Sequence, residues 1–124
     1  MTHPRIYDDD EPLLAEVRAV CLALPETVEV EAWGRPTFRA GKKIFALYSG
    51  DDEARTVIFK PDADERAALL DDPRISKPPY WGPSGWLALA LDGDTEWQEV
   101  AELVEDSYRQ VALKRMLAAL DAPT

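Results

Sequence analysis

The sequence predicts an α+β domain: an antiparallel sheet of about five strands, with a helix from each end of the chain packed on one of its faces. The expected order is α-β-β-β-β-(α)-β-α. Three observations carry this expectation. Apolar residues recur with helical spacing near both ends of the chain and with a spacing of two in between. The connections within the middle stretch are too short for parallel crossovers, so consecutive strands form a meander. The chain has 124 residues, 46% of them hydrophobic and 31% charged, enough for one core and too few for two. The expected layout is a flexible arm over residues 1–9, one domain over 10–120 and a tail over 121–124.

The first helix is expected to start at Asp10, which can N-cap it, with Glu11 and Pro12 in the first turn. Leu13, Val17, Val20, Cys21 and Leu24 fall on one helical face, and Leu24-Pro25 ends it. Cys21 lies on that apolar stripe and reads as core. Val28, Val30 and Ala32 then alternate with Glu29 and Glu31, a half-exposed strand. Trp33-Gly34-Arg35-Pro36 breaks the chain before a second strand over Thr37–Ala40. Gly41-Lys42 turns it into a third, Lys43–Tyr48, so apolar that it belongs at the centre of the sheet. Arg55–Lys60 is the fourth. Asp62-x-x-Glu65 has the spacing of a capping box before a short helix bearing Ala67, Leu69 and Leu70. Arg74–Gly85 is rich in proline and glycine and is expected to be irregular. Trp86–Leu91 is a strand. Thr95-x-x-Gln98 is a second capping-box spacing, opening a helix whose stripe is Trp97, Ala101, Val104, Tyr108 and Val111. Its acids (Glu96, Glu99, Glu102, Glu105) precede its bases (Arg109, Lys114, Arg115), which suits the helix dipole.

Charge sets bounds on function. The net charge is −10, which argues against coating DNA through bulk charge. Its distribution is uneven. Trp33–Gly50 holds Arg35, Arg39, Lys42 and Lys43 and no acid, and Pro73–Leu91 holds Arg74 and Lys77 and no acid. Two basic, aromatic stretches thus sit in an acidic chain. No apolar run reaches the length of a membrane span, the N-terminus lacks the pattern of a signal peptide, and a single cysteine cannot form an internal disulfide. A cytoplasmic setting is expected.

The stretch Trp33-Gly34-Arg35-Pro36-Thr37-Phe38-Arg39-Ala40-Gly41-Lys42-Lys43-Ile44-Phe45-Ala46 resembles the W-G-x-P-x-F…K-x-F-A signature of the MmcQ/YjbR family. Leu24-Pro25 and Glu31 fit its lead-in. Pro79-Tyr80-Trp81-Gly82-Pro83-Ser84-Gly85-Trp86 resembles the P-Y-x-G-x-x-G-W turn of one branch, and Glu102–Val111 resembles the C-terminal helix with Tyr108 in place. The likeness spans roughly residues 12–117. It implies a fold similar to CyaY, the bacterial frataxin homologue, and a DNA-binding role through the sheet and its hairpins. Many members carry His and Asn-Lys near the final turn, where this chain has Trp81-Gly82-Pro83-Ser84, so any role of those groups is absent or altered here.

The candidate ligand site is a basic-aromatic face. Arg35, Arg39, Lys42, Lys43 and Lys77 can meet phosphates, and Trp33, Tyr80 and Trp81 can stack on bases. Against this stands the plainer reading that Trp33 and Trp86 are core and that the lysines solubilise a turn. The nucleic-acid reading requires Arg35, Arg39, Lys42 and Lys43 to share a face. A protein or a small anion on the same face is the alternative. The frataxin likeness also suggests a metal reading of Asp8, Asp9, Asp10, Glu11 and Glu16. Carboxylates without His or Cys suit hard cations only weakly, and a helix cap with a solvated face accounts for them. No metal or cofactor is expected. No catalysis is expected either: His3 is the only histidine and lies in the arm, Cys21 reads as buried, and nucleotide-binding glycine loops are missing.

Overall fold

The computed structural model describes residues 4–50 and 53–123. His3 lies outside them. Four helices accompany a six-stranded antiparallel sheet: α1 Pro12–Leu22, β1 Val28–Ala32, β2 Arg35–Ala40, β3 Lys43–Gly50, β4 Arg55–Phe59, α2 Arg66–Leu70, β5 Ile75–Ser76, β6 Leu87–Leu91, α3 Trp97–Val111 and α4 Lys114–Asp121. The strand order is β1-β2-β3-β4-β6-β5. The first four strands form the expected meander, and β6 then adds beside β4. β5 is a strand that the sequence did not announce: its two residues pair with β6 inside the stretch expected to be irregular.

Both inner turns are two-residue hairpins with both residues in the left-handed region, the arrangement that matches strand twist. Trp33 and Gly34 (φ 53° and 75°) join β1 to β2, and Gly41 and Lys42 (φ 57° and 72°) join β2 to β3. Gly34 has a second reason to be glycine, since a Cβ there would lie 1.9 Å from the Pro4 carbonyl oxygen.

The helices pack on one sheet face, where Phe38, Phe45, Tyr48 and Phe59 meet Val17, Val104 and Tyr108. β3 carries a bulge, because Phe38 pairs with Ala46 while Arg39 pairs with Ile44, leaving Phe45 extra. The buried Ser107 hydroxyl donates to the Phe45 carbonyl (2.5 Å) and accepts the Lys60 N–H (3.0 Å), fixing α3 to the sheet where the ladder is interrupted. The Tyr108 hydroxyl donates to the Pro25 carbonyl (2.7 Å), so the helix-ending proline and the C-terminal tyrosine hold one another.

Several expectations are corrected. α1 starts one residue later than expected, with Glu11 rather than Asp10 in the cap position, and it buries Leu14 where the stripe named Leu13. Neither capping-box spacing forms its box. α3 has Glu96 in the cap position with no side-chain bond, and the Thr95 hydroxyl accepts the Asp92 N–H instead (2.8 Å). Asp62 likewise accepts the Asp64 N–H in a local turn. The final helix breaks at Ala112–Leu113, both extended, into α3 and α4. The arm expected to fray is anchored from Ile6, whose N–H donates to the Gly34 carbonyl (3.0 Å). Tyr7 is buried, its hydroxyl donating to Glu31 (2.8 Å).

The two sheet edges differ. β1 has no strand beyond it and exposes Val28 and Val30. β5 is two residues long and runs into Lys77-Pro78-Pro79. Among the described residues no helix is long and apolar enough to cross a membrane.

Candidate functional site

The sheet face opposite the helices is only partly covered. Register places Arg35, Thr37 and Arg39 of β2 on it, beside Ala32, Val30 and Val28 of β1. A second, smaller cluster forms there: Leu47, Ile58, Trp86 and Ala88 are buried, with Ile44 and Trp81 packed against them. The segment Lys77–Trp86 supplies the cover over β4 and β6 and leaves the β1–β2 side open.

That segment is held by its own backbone. The N–H groups of Trp81, Gly82, Ser84, Gly85 and Trp86 donate to carbonyls of Pro79, Pro78, Trp81, Gly82 and Trp81 in turn. Arg66 braces it from α2, donating to the carbonyls of Gly85 and Gly82 (3.3 and 3.4 Å). Three tryptophans then join edge to face across the cleft. Trp33 at the β1–β2 turn meets Trp81 at 5.7 Å between ring centroids, and Trp81 meets Trp86 at 5.1 Å. Trp86 is core, as the plainer reading held, whereas Trp33 is 45% exposed and is not.

Two adjoining hollows result, and Arg35 lines both. The larger, of about 740 Å³, is walled by Trp33, Arg35, Tyr80, Trp81 and Ser84. The smaller, of about 330 Å³, has Ser49, Thr56, Ile58, Ser76 and Lys77 among its walls. The Arg35 side chain is oriented rather than free, its Nε donating to the Ser49 hydroxyl (2.8 Å) and its Nη1 to the Trp33 carbonyl (3.0 Å).

The arginines divide sharply. Six of the nine, Arg5, Arg18, Arg55, Arg74, Arg109 and Arg115, pair with carboxylates. Among the described residues the other three have none: Arg35, Arg39 (Nε to the Thr37 hydroxyl, 3.2 Å) and Arg66. Arg35 lines the cleft, Arg66 braces the loop beside it, and Arg39 lies farther along β2 on the same sheet face as Arg35. In a chain of net charge −10, Arg35 and Arg39, without acid partners among the described residues on one sheet face, are a specific departure from the surroundings.

The residues named from sequence thus fall into two groups. Trp33, Arg35, Lys77, Tyr80 and Trp81 come together, with Arg39 about 13 Å along β2 on the same face at roughly 3.4 Å per residue. Lys42 and Lys43 do not join them. Lys42 is in the turn at the far end of β2, and Lys43 pairs with Ala40, whose face is that of the helices. The single-face condition set for nucleic acid is therefore met by two of its four residues. Sequence reasoning missed Ser49, Thr56 and Ser76, which only cross-strand register brings beside Arg35, and it missed Arg66.

Two of the acids near α1, Asp9 and Glu11, are committed elsewhere. Glu11 pairs with Arg55 (2.8 Å) and accepts the Tyr48 hydroxyl (2.8 Å), and Asp9 is bound by Arg5 and Arg18. Burial opposes ionisation of Glu11, but the Asp8 N–H, the Tyr48 hydroxyl and Arg55 outweigh it and hold the carboxyl below its ordinary range. Among the described residues no group of three or more His, Cys, Asp and Glu is placed to hold a metal ion. Cys21 is fully buried, and burial pushes its thiol up, away from the reactive thiolate.

The family model described as YjbR matches residues 22–110, most of the chain. The chain belongs to the YjbR family. Among solved structures, this YjbR chain is similar to protein DR2400 of Deinococcus radiodurans, which carries the domain designated DUF419. The two share 22% identity at a TM-score of 0.71, over 91% of this chain and 92% of that one. A protein from Pseudomonas syringae is similar at 19% identity and a TM-score of 0.65, over 82% of this chain and 98% of that one. At such identities the likeness is one of fold. No curated protein matches the chain. Of the residues that match the signature, Phe38, Phe45 and Ala46 are core, as is Tyr108 of the C-terminal helix, whereas Trp33 opens onto the cleft beside Arg35, which stands at an unspecified position of the signature.

Proposed function

We propose that this YjbR domain is a binding module without catalytic chemistry, whose ligand presents an anion to Arg35 on the partly open sheet face. One observation carries the reading. Arg35 is held in place by neutral partners, Ser49 and the Trp33 carbonyl, at the junction of two hollows, and among the described residues no carboxylate neutralises it. A cation kept oriented and unpaired in a concave site is preorganised for an incoming anion. A ligand of one or two charges also avoids the repulsion that a chain of net charge −10 exerts on a polyanion.

Nucleic acid is the second reading. The DNA-binding label of the family and the acid-free run of sequence bearing Arg35, Arg39, Lys42 and Lys43, from β2 through the turn into β3, favour it. The two readings separate on salt and on residues. Anisotropy of labelled single- and double-stranded DNA, measured from about 20 to 200 mM salt, should show a steep loss of affinity if several phosphates are held. It should also depend on Lys42 and Lys43. The expected result is weak DNA binding that Lys42→Ala/Lys43→Ala scarcely changes, with anion binding abolished by Arg35→Ala. Micromolar, salt-steep DNA binding lost in the double-lysine variant would establish the nucleic-acid reading instead.

A further inference from the structure

We infer that the ligand of this cleft is a flat aromatic ring tethered to one anionic group, a phosphate or a carboxylate, with the ring against Trp33 and Tyr80 and the anion at Arg35. The inference rests on the proposed anion site and adds the chemistry of the rest of the ligand. Its independent support is Tyr80. The Trp81 N–H donates to the Pro79 carbonyl (2.7 Å), which makes Tyr80 the centre of a γ-turn, and its φ is +65°. That turn is rare and strained for a side-chain-bearing residue. Strain of this kind is ordinarily offset by packing, but Tyr80 is 95% exposed and its ring buries almost nothing. Trp33, across the hollow, also has a positive φ (+53°), set by the β1–β2 hairpin, and stays 45% exposed although it packs on Trp81. Glycine would fit both positions without strain. Tyr80 is therefore a large ring held in an unfavourable backbone conformation at the mouth of the hollow, where folding gains little from it, and Trp33 faces it from the hairpin turn.

Size and polarity divide the ligand. The ring-lined hollow of about 740 Å³ takes a flat bicyclic group, and its other walls are Trp81 and Ser84. The adjoining hollow of about 330 Å³ offers Ser49, Thr56, Ser76 and Lys77, donors suited to a phosphate or a carboxylate. Arg35 bridges the two, so ring and anion are a few bonds apart. Aromatic faces attract any flat ring, which sets the class rather than one compound.

The test uses the full chain and intrinsic tryptophan fluorescence, since three of the four tryptophans lie in the cleft cluster. Isothermal titration supplies the affinities. The probes are adenosine monophosphate and indole-3-acetate as ring-bearing anions, adenosine as a ring without charge, and phosphate and acetate as anions without a ring. At least one ring-bearing anion should bind about tenfold or more tighter than its parts and quench the emission. Arg35→Gln should weaken that binding at least about tenfold, and Lys42→Ala/Lys43→Ala should leave it unchanged. Tyr80→Gly should weaken it without lowering the melting temperature, which separates ligand contact from folding. Arg35-dependent binding of phosphate or acetate as tight as that of the ring-bearing probes would overturn the ring assignment and leave the anion site standing. No Arg35-dependent binding of any probe would overturn both.

Discussion

Gly34 shows how one residue can set the fit of two segments. It needs a positive φ for the β1–β2 hairpin and an absent Cβ for the crossing arm, whose Pro4 carbonyl oxygen would otherwise sit 1.9 Å away. Gly34→Ala should therefore cost about 1–3 kcal/mol in urea unfolding. It should also speed limited proteolysis within residues 4–9, because the Ile6 bond to the Gly34 carbonyl would be lost with the arm's seat. At this scale the sequence was legible where chemistry is local. Cys21 on an apolar helical stripe reads as core and is core. Gly41-Lys42 reads as a turn and is one, whereas the break expected over Trp33–Pro36 is a turn at Trp33-Gly34 alone, Arg35 and Pro36 being already paired in β2. The site was half legible. The aromatic residues and Arg35 stand in acid-free runs, which a charge map detects. Ser49, Thr56 and Ser76 look like ordinary strand residues until the register of four strands places them beside Arg35.

At the scale of elements, the sheet and the helix α3 are joined through an irregularity. The β3 bulge frees the Phe45 carbonyl, and the Ser107 hydroxyl takes it while also accepting the Lys60 N–H. Ser107→Ala should leave both groups buried and unpaired, at a cost of about 1–3 kcal/mol by chemical denaturation, with a β-sheet circular dichroism signal that stays native. The apolar pattern located every strand of four residues or more, by alternation in β1 and by short continuous apolar runs in β3 and β6. It failed where tertiary contacts decide. β5 is held by pairing with β6 and has no pattern of its own. The capping spacings at Asp62 and Thr95 went to local turns, since the same side-chain oxygens can accept N–H groups two or three residues away in either direction. The last helix broke at Ala112–Leu113 with no glycine or proline to announce it. The Gly41 turn lies against Leu113 there, a contact between distant parts of the chain.

For the whole molecule, acid stability follows from the network around Glu11, which ties the start of α1 to β3 and β4 through Tyr48 and Arg55. Its folded carboxyl ionises below its unfolded value of about 4.3. The stabilisation is therefore complete above that value and is lost as the pH falls through it toward the folded pKa. Asp72, brought to about 2 by the Arg74 guanidinium and N–H, acts in the same direction, but it is exposed and solvent screens it. Glu11→Gln should lower stability at pH 7 by about 1–3 kcal/mol and flatten the decline below about pH 4.3, as read by thermal unfolding across pH. The order of the first four strands was legible as a meander from loop lengths, whereas the places of β5 and β6 and the partial cover over the second sheet face depend on how the chain after β4 folds back. The unequal edges carry a further consequence, for self-association. Pairing through β5 is stopped by its two residues and by prolines that lack an N–H. Among the described residues, the β1 edge is the one of the two sheet edges that can recruit another strand. Two copies meeting there use up both available edges, so edge recruitment through this sheet ends at a closed pair and cannot propagate into a fibre.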